Sequence, residues 1–206
     1  MNRVCLKGVA LAGALALIAG CSLLESNVPD ATVFVLRPIA PVAAATTVNA
    51  GLTIPRPVVD AALETDRIAL ARPGNRLDYY AGGRWGGPLS VVLDSLVAQR
   101  LRASGAYSMV DTDRGGYGAQ YVLAITVRRF EAEYGADAEA APTARVMLEC
   151  TVGDRTARRT VASFNVETSA AASENRLSAV VAALDRAANE AITQVIERSS
   201  GAITSR

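Results

Sequence analysis

From Pro88 onward the apolar residues fall into a helical rhythm. Leu89, Val92, Leu93, Leu96, Val97 and Leu101 recur at intervals of three and four, which stacks them on one stripe. Pro88 suits a first helical turn, and Gly105 suits the left-handed position that ends one. Asp94, Gln99 and Arg102 are expected on the wet side. A second stripe, formed by Leu177, Val180, Val181, Leu184, Ala188, Ile192, Val195 and Ile196, predicts a helix from about Glu174 to Arg198.

The remaining segments favour strands. "ATVFVLRP" (31–38) and "VNAGLTIP" (48–55) are rich in β-formers and stop at Pro38 and Pro55. "RPVVDAAL" reads as one or two helical turns with Pro57 near their start. "RIALARP" (67–73) and "NRLDYYAGGRW" (75–85) flank a Pro-Gly turn, a hairpin signal. Four further stretches, 106–112, 119–135, 143–154 and 158–168, are separated by short turn-like sequence, which predicts an antiparallel meander. Near the end of the second of these, Val127, Arg129, Glu131 and Glu133 alternate with Arg128, Phe130 and Ala132, as in a half-exposed strand. The expected fold is therefore α+β: an antiparallel β-sheet with two long amphipathic helices packed on one face. No internal repeat is visible.

The start of the chain has a different pattern. An apolar run from Gly8 to Gly20 follows Arg3 and Lys7 and is shorter than the ~20 residues of a membrane-crossing helix. A basic n-region, a short apolar h-region and small residues at its close make an export signal. Ile18-Ala19-Gly20-Cys21 looks like a bacterial lipobox, which implies cleavage before Cys21, a diacylglycerol thioether on its sulfur and acylation of the new amino group. An ordinary secretory signal and a retained membrane anchor are the competing readings. The organisation expected is a signal peptide (1–20), a lipidated tether (21–30), one α+β domain (31–200) and a short tail (201–206).

Composition narrows the chemistry. Removing residues 1–20 from 206 leaves 186, enough for one domain with a real core. Arg3 and Lys7 leave with the signal, so 19 basic residues face 20 acidic ones. That balance offers no electrostatic case for nucleic acid. Lys7 is the only lysine, and every later cation is arginine, a bias ascribed to the source. Cys150 stands alone in an apolar stretch once Cys5 is removed and Cys21 is lipidated, so it is expected to be a buried, inert thiol.

The sequence contains no histidine, which removes Ser-His-Asp and Cys-His catalysis and the commonest zinc ligand. The carboxylate pairs Asp111/Asp113 and Glu131/Glu133 could share a strand face and hold a cation, but a solvated face is the simpler reading. "DRGGYG" (113–118) lacks phosphate-loop spacing and reads as a turn. No catalytic residue, cofactor or metal is expected. Trp85, the only tryptophan, lies beside Arg84 and soon after Tyr79 and Tyr80. These are residue types of interface anchors. Packing of Trp85 between the hairpin and the helix at Pro88 is the favoured alternative.

The Pro-containing segment before "DRIAL", the tyrosine strand "LDYY", and "RWGGPL" running into the amphipathic helix together carry a likeness. With "VFVL" and "NRLSAVVAALDRAANEAI" it extends over most of residues 31–198. The chain resembles the ABC-type transport auxiliary lipoprotein family, whose members accompany systems built on mammalian cell entry (MCE) domain proteins. It departs in "GGRWGGPL", where more polar residues would be expected beside the tryptophan. The resemblance implies a periplasmic, outer-membrane-anchored, non-catalytic adaptor of a lipid or hydrophobic-compound transporter. The partners it implies are a membrane held through the lipid anchor, an MCE-domain protein and ABC transporter components, with room for a homo-oligomer. Ser22, in place of the aspartate typical of inner-membrane retention, favours the outer membrane. A structural or envelope-assembly lipoprotein is the alternative, and an enzyme is the third and weakest reading.

Overall fold

The longest strands organise everything around them. The computed structural model describes residues 31–40, 44–112 and 118–205, all within one compact unit, Ala31–Arg206. The expected signal peptide and tether, with Cys21 and Ser22, lie outside the described residues. In chain order the strands are β1 (Thr32–Phe34), β2 (Val48–Ile54), β3 (Val58–Val59), β4 (Arg67–Arg72), β5 (Arg76–Trp85), β6 (Tyr107–Thr112), β7 (Tyr121–Glu133), β8 (Thr143–Asp154) and β9 (Arg159–Ala171). Helix α1 (Leu89–Ser104) separates β5 from β6, and α2 (Leu177–Thr204) closes the chain.

The fold is α+β, with one mixed sheet of nine strands and two helices. β7, β8 and β9 form the expected antiparallel meander. The other edge of β7 is shared by three short strands, each parallel to it: β2 at Tyr121–Val122, β3 at Thr126–Val127 and β4 at Ala132–Glu133. β6 pairs parallel with β2, and β1 pairs parallel with β5. An antiparallel sheet throughout was expected; the sheet is mixed because residues 48–72 run alongside β7 in its own direction. The expected helical turns after Pro57 are reduced to one: Val58–Val59 is drawn onto β7 as β3, and a single turn follows in which the Leu63 and Glu64 N–H groups donate to the Asp60 carbonyl.

A bulge decides which side chains of β7 face the core. Leu123, Ile125 and Val127 are buried in alternation, the register shifts between Val127 and Arg129, and burial resumes at Phe130 and Ala132. One extra residue flips the parity. Val127 therefore belongs with Phe130, and Arg129, Glu131 and Glu133 take the opposite face, unlike the alternation expected from sequence. Leu93 and Val97 of α1 meet Ala188 and Ile192 of α2 over Ile125, Val127, Phe130, Val146 and Leu148. Both helices thus cover the same face of the sheet.

Helix α1 starts after Pro88 and stops at Gly105, whose φ of 65° is the left-handed cap read from sequence. Asp94, expected to be wet, is buried, because α1 is covered by the sheet and by α2 over more than its apolar stripe. Helix α2 runs to Thr204, past the end expected near Arg198, so it absorbs most of the anticipated tail. Ser199, Ser200 and Thr204 continue it by donating to carbonyls one turn back, and Ile203 adds a buried apolar contact.

Residues 37–40 lie as a strap along the helix pair. The Arg37 and Ile39 N–H groups donate to Asp185 Oδ1 (3.0 Å) and Asn189 Oδ1 (3.1 Å) of α2. Asn189 Nδ2 donates back to the Arg37 carbonyl at 2.9 Å. From α1, the buried Arg100 donates to the carbonyls of Ile39 (3.4 Å) and Ala40 (3.5 Å), and at 2.7 Å to Thr193 Oγ1.

Candidate functional site

The β4–β5 hairpin turns at Pro73-Gly74-Asn75. Proline fixes the first turn position, while Gly74 (φ 83°) and Asn75 (φ 57°) supply the left-handed conformations that follow. Arg72 and Arg76 are cross-strand partners immediately beside this turn. The hairpin tip forms one wall of a cleft of about 620 Å³, and Arg129, Glu133, Tyr134 and Gly135 with Thr143 and Arg145 of β8 form the other.

Ion pairs set the geometry of the second wall. Arg129 Nε donates to Glu131 Oε1 (2.6 Å), and its Nη2 donates to Glu133 Oε1 (3.0 Å). Arg145 Nε donates to the other oxygen of Glu133 at 2.7 Å. These bonds, Arg145 first and then Arg129, hold the Glu133 carboxyl below its usual range. Burial disfavours charge on Arg129, but its hydrogen bonds to Glu131 and Glu133 outweigh it and raise the guanidinium's pKa. Glu131 is itself buried, and its Oε2 accepts the Phe130 N–H at 2.7 Å.

An aromatic chain braces the floor. Arg72 stacks over the Tyr134 ring at 5.1 Å. The Tyr134 hydroxyl donates to Asn175 Oδ1 (2.7 Å) and meets the Tyr80 hydroxyl at 2.8 Å. Burial, then the Tyr134 hydroxyl, push the Tyr80 phenol well above its ordinary value.

The residues singled out from sequence go to different places. Tyr80 buttresses the cleft through Tyr134. Trp85 is 1% exposed and meets Phe130 edge-on, with centroids 5.9 Å apart and planes at 70°, so it is part of the core. Arg84 stays at the surface, 3.3 Å from Asp66. The glycines beside Trp85 serve a large bulge: Arg67 opposes Arg84 but Ala69 already opposes Tyr79. Gly82 takes φ 73° there, and Leu177 and Phe34 fill the space a Gly83 side chain would need.

Glu131 and Glu133 are not a solvated pair; arginines engage both. Asp111 is buried, and Asp113 lies outside the described residues. No group of three His, Cys, Asp or Glu residues among those described could hold a metal, and no described helix is long and apolar enough to cross a membrane. Cys150 is buried, and burial pushes its thiol up to about 12. Sequence reasoning missed Arg72, Arg76, Arg129 and Arg145 as a set. Proximity to the Pro-Gly turn could have flagged the first two.

A family model described as the ABC-type transport auxiliary lipoprotein component matches residues 34–196. The chain belongs to that family. Its fold recurs in the crystal structure of protein XCC0632 from Xanthomonas campestris, 24% identical, with a TM-score of 0.76 over 84% of this chain and 98% of that one. A crystal structure of a protein without a descriptive name (10% identity, TM-score 0.65) covers 82% of this chain and 98% of that one. The CT253 protein of Chlamydia trachomatis (8% identity, TM-score 0.54) covers 77% of this chain and 100% of that one. No curated protein matches the chain. The family match spans both helices up to Ile196 and the whole sheet except the first residues of β1, so the cleft lies inside the family domain.

Proposed function

We propose that the chain is a non-catalytic adaptor, lipidated at Cys21, that links the outer membrane to an ABC-type, MCE-linked transporter of lipids or other hydrophobic compounds. The observation that carries this reading is the family match across residues 34–196, nearly all of the folded domain. The lipobox-like Ile18-Ala19-Gly20-Cys21, followed by Ser22, supports an anchor in the outer membrane. Two or more acyl chains hold a protein stably at ~0.8 kcal/mol per buried CH₂, whereas one holds it marginally. Near-neutral charge after cleavage favours recognition by surface fit, so partner affinity should change little with salt.

The test is affinity purification of the tagged full chain from detergent-solubilised envelopes, without added nucleotide or metal, beside a Cys21→Ser variant. An MCE-domain protein and its ABC components should co-purify with the parent, and fatty-acid labelling should be lost in the variant. Recovery of no transport component, with a deletion phenotype unlike that of the transporter genes, overturns the adaptor reading. Undiminished labelling of Cys21→Ser overturns the anchor.

A further inference from the structure

The cleft beside the β4–β5 turn collects cations from four strands. Arg72 and Arg76 flank the turn, Arg129 comes from β7 and Arg145 from β8. Among the described lining residues the one carboxylate is Glu133. Asp78 and Glu131 lie outside the lining and occupy Nε of Arg72 (3.4 Å) and Nε of Arg129 (2.6 Å). Arg145 spends Nε on Glu133, which leaves its two terminal nitrogens. Among the described residues no carboxylate pairs with Arg76. The cleft is therefore braced and charged but only partly neutralised.

We propose that this cleft binds a phosphate group carried on a partly apolar molecule. Guanidinium forks present paired N–H donors that match phosphate oxygens, and forks from four strands suit a tetrahedral acceptor better than a flat one. A carboxylate offers two oxygens in a plane, and Glu133 already supplies that arrangement between Arg129 and Arg145. The apolar part of the ligand meets Ala71, Pro73 and Leu77, and Leu77 keeps 37% of its surface in water. The cations are held before the ligand arrives: Arg72 by Tyr134, and Arg129 and Arg145 by their shared glutamate. A phospholipid headgroup and a soluble phosphate share this chemistry. The inference goes beyond the transport reading and stands whether or not an MCE partner exists.

The test uses the full chain in a non-ionic detergent at low ionic strength, titrated calorimetrically with inorganic phosphate, dihexanoyl-phosphatidylglycerol and succinate. At least one phosphate probe should saturate. The double variant Arg76→Gln/Arg145→Gln should bind it about tenfold more weakly, the scale of one charge-assisted hydrogen bond. Partition of the lipid into micelles is the same for parent and variant and cancels. Glu133→Gln should bind more tightly, because it releases donors on Arg129 and Arg145. Saturation by inorganic phosphate identifies a soluble ligand; saturation by the lipid alone identifies a headgroup. Arg76→Gln alone, at an exposed position, keeps the test valid if the double variant loses its circular dichroism. The proposal is overturned by no saturable binding of either phosphate probe, by equal binding to the arginine variants, by succinate binding as tightly as phosphate, or by weaker binding to Glu133→Gln.

Discussion

Two arginines, Arg129 half-buried in the cleft and Arg100 buried under the strap, are enclosed to different ends. Arg129 is flanked by carboxylates on its own strand, and their hydrogen bonds raise its pKa despite burial. Arg100 has backbone carbonyls and one hydroxyl as acceptors, its Nε finds no acceptor among the described residues, and burial lowers its pKa. Both guanidiniums remain charged at neutral pH. The difference shows how one residue type serves two purposes. With carboxylates it builds a polar surface able to receive further charge; with carbonyls it ties a passing segment of chain to a helix.

The sharpest way to break this comparison is Glu131→Ala. It strips Arg129 of its shortest partner and leaves the Phe130 N–H without the carboxylate it donates to. With Glu131 buried and Arg129 half-buried, the loss should fall at the low end of the range for buried pairs, about 3 kcal/mol. Urea unfolding should report a loss of that size.

Arg100→Met should cost less, about 1–2 kcal/mol, because burial of a charge is relieved while Thr193 and two carbonyls lose a donor. Its clearer signature should be local. Amide exchange at Ile39 should speed up while that of Leu148 in β8 stays slow. If Arg100→Met is the more damaging of the two, the roles assigned to these arginines are reversed.

The third prediction contrasts the two regions by pH. Glu133 has a depressed pKa, so its contribution is present above the ordinary carboxylate range and is lost as pH falls through the lowered value. Near the helices the sensitivity lies at the alkaline end. Burial raises the Tyr107 phenol from 10.0 to about 12, against the opposing effect of its 2.7 Å hydrogen bond to Ser199. A raised pKa gives stability that is complete below pH 10 and lost as pH rises through 12. At pH 11 the share of the loss due to Tyr107 should be about 1 kcal/mol, and the raised Tyr80 phenol and Cys150 thiol add theirs over the same alkaline range. Tyr107→Phe should remove that share of the alkaline loss without changing the acid limb.

How much of this was legible in the sequence depends on the range of the interaction. Both helices were readable because their stripes, Pro88 and Gly105 are local signals. The hairpin about Pro73-Gly74 and the β7–β8–β9 meander were readable for the same reason. The parallel pairings of β2, β3 and β4 with β7 join residues more than 60 positions apart, and no periodicity encodes them. Asp94 was misread because one stripe does not reveal that a helix is covered on further sides. The cleft was hidden twice. The bulge after Val127 reversed the apparent alternation, and in a chain whose only lysine is Lys7 its four arginines looked like background composition.

The strap has a mechanical meaning as well as a chemical one. The described domain is entered from its N-terminal side through Ala31, so tension arriving along the preceding chain first loads the three paired residues of β1 and β5. If those separate, the load passes to the bonds of Arg37 and Ile39 with Asp185 and Asn189, and to the grip of Arg100 on Ile39 and Ala40. These attachments act in series, ahead of the sheet and helix core. They would act as a fuse: a pull on the chain ahead of Ala31 would lengthen the N-terminal segment while β2 to β9 and the arginine-lined cleft keep their shape.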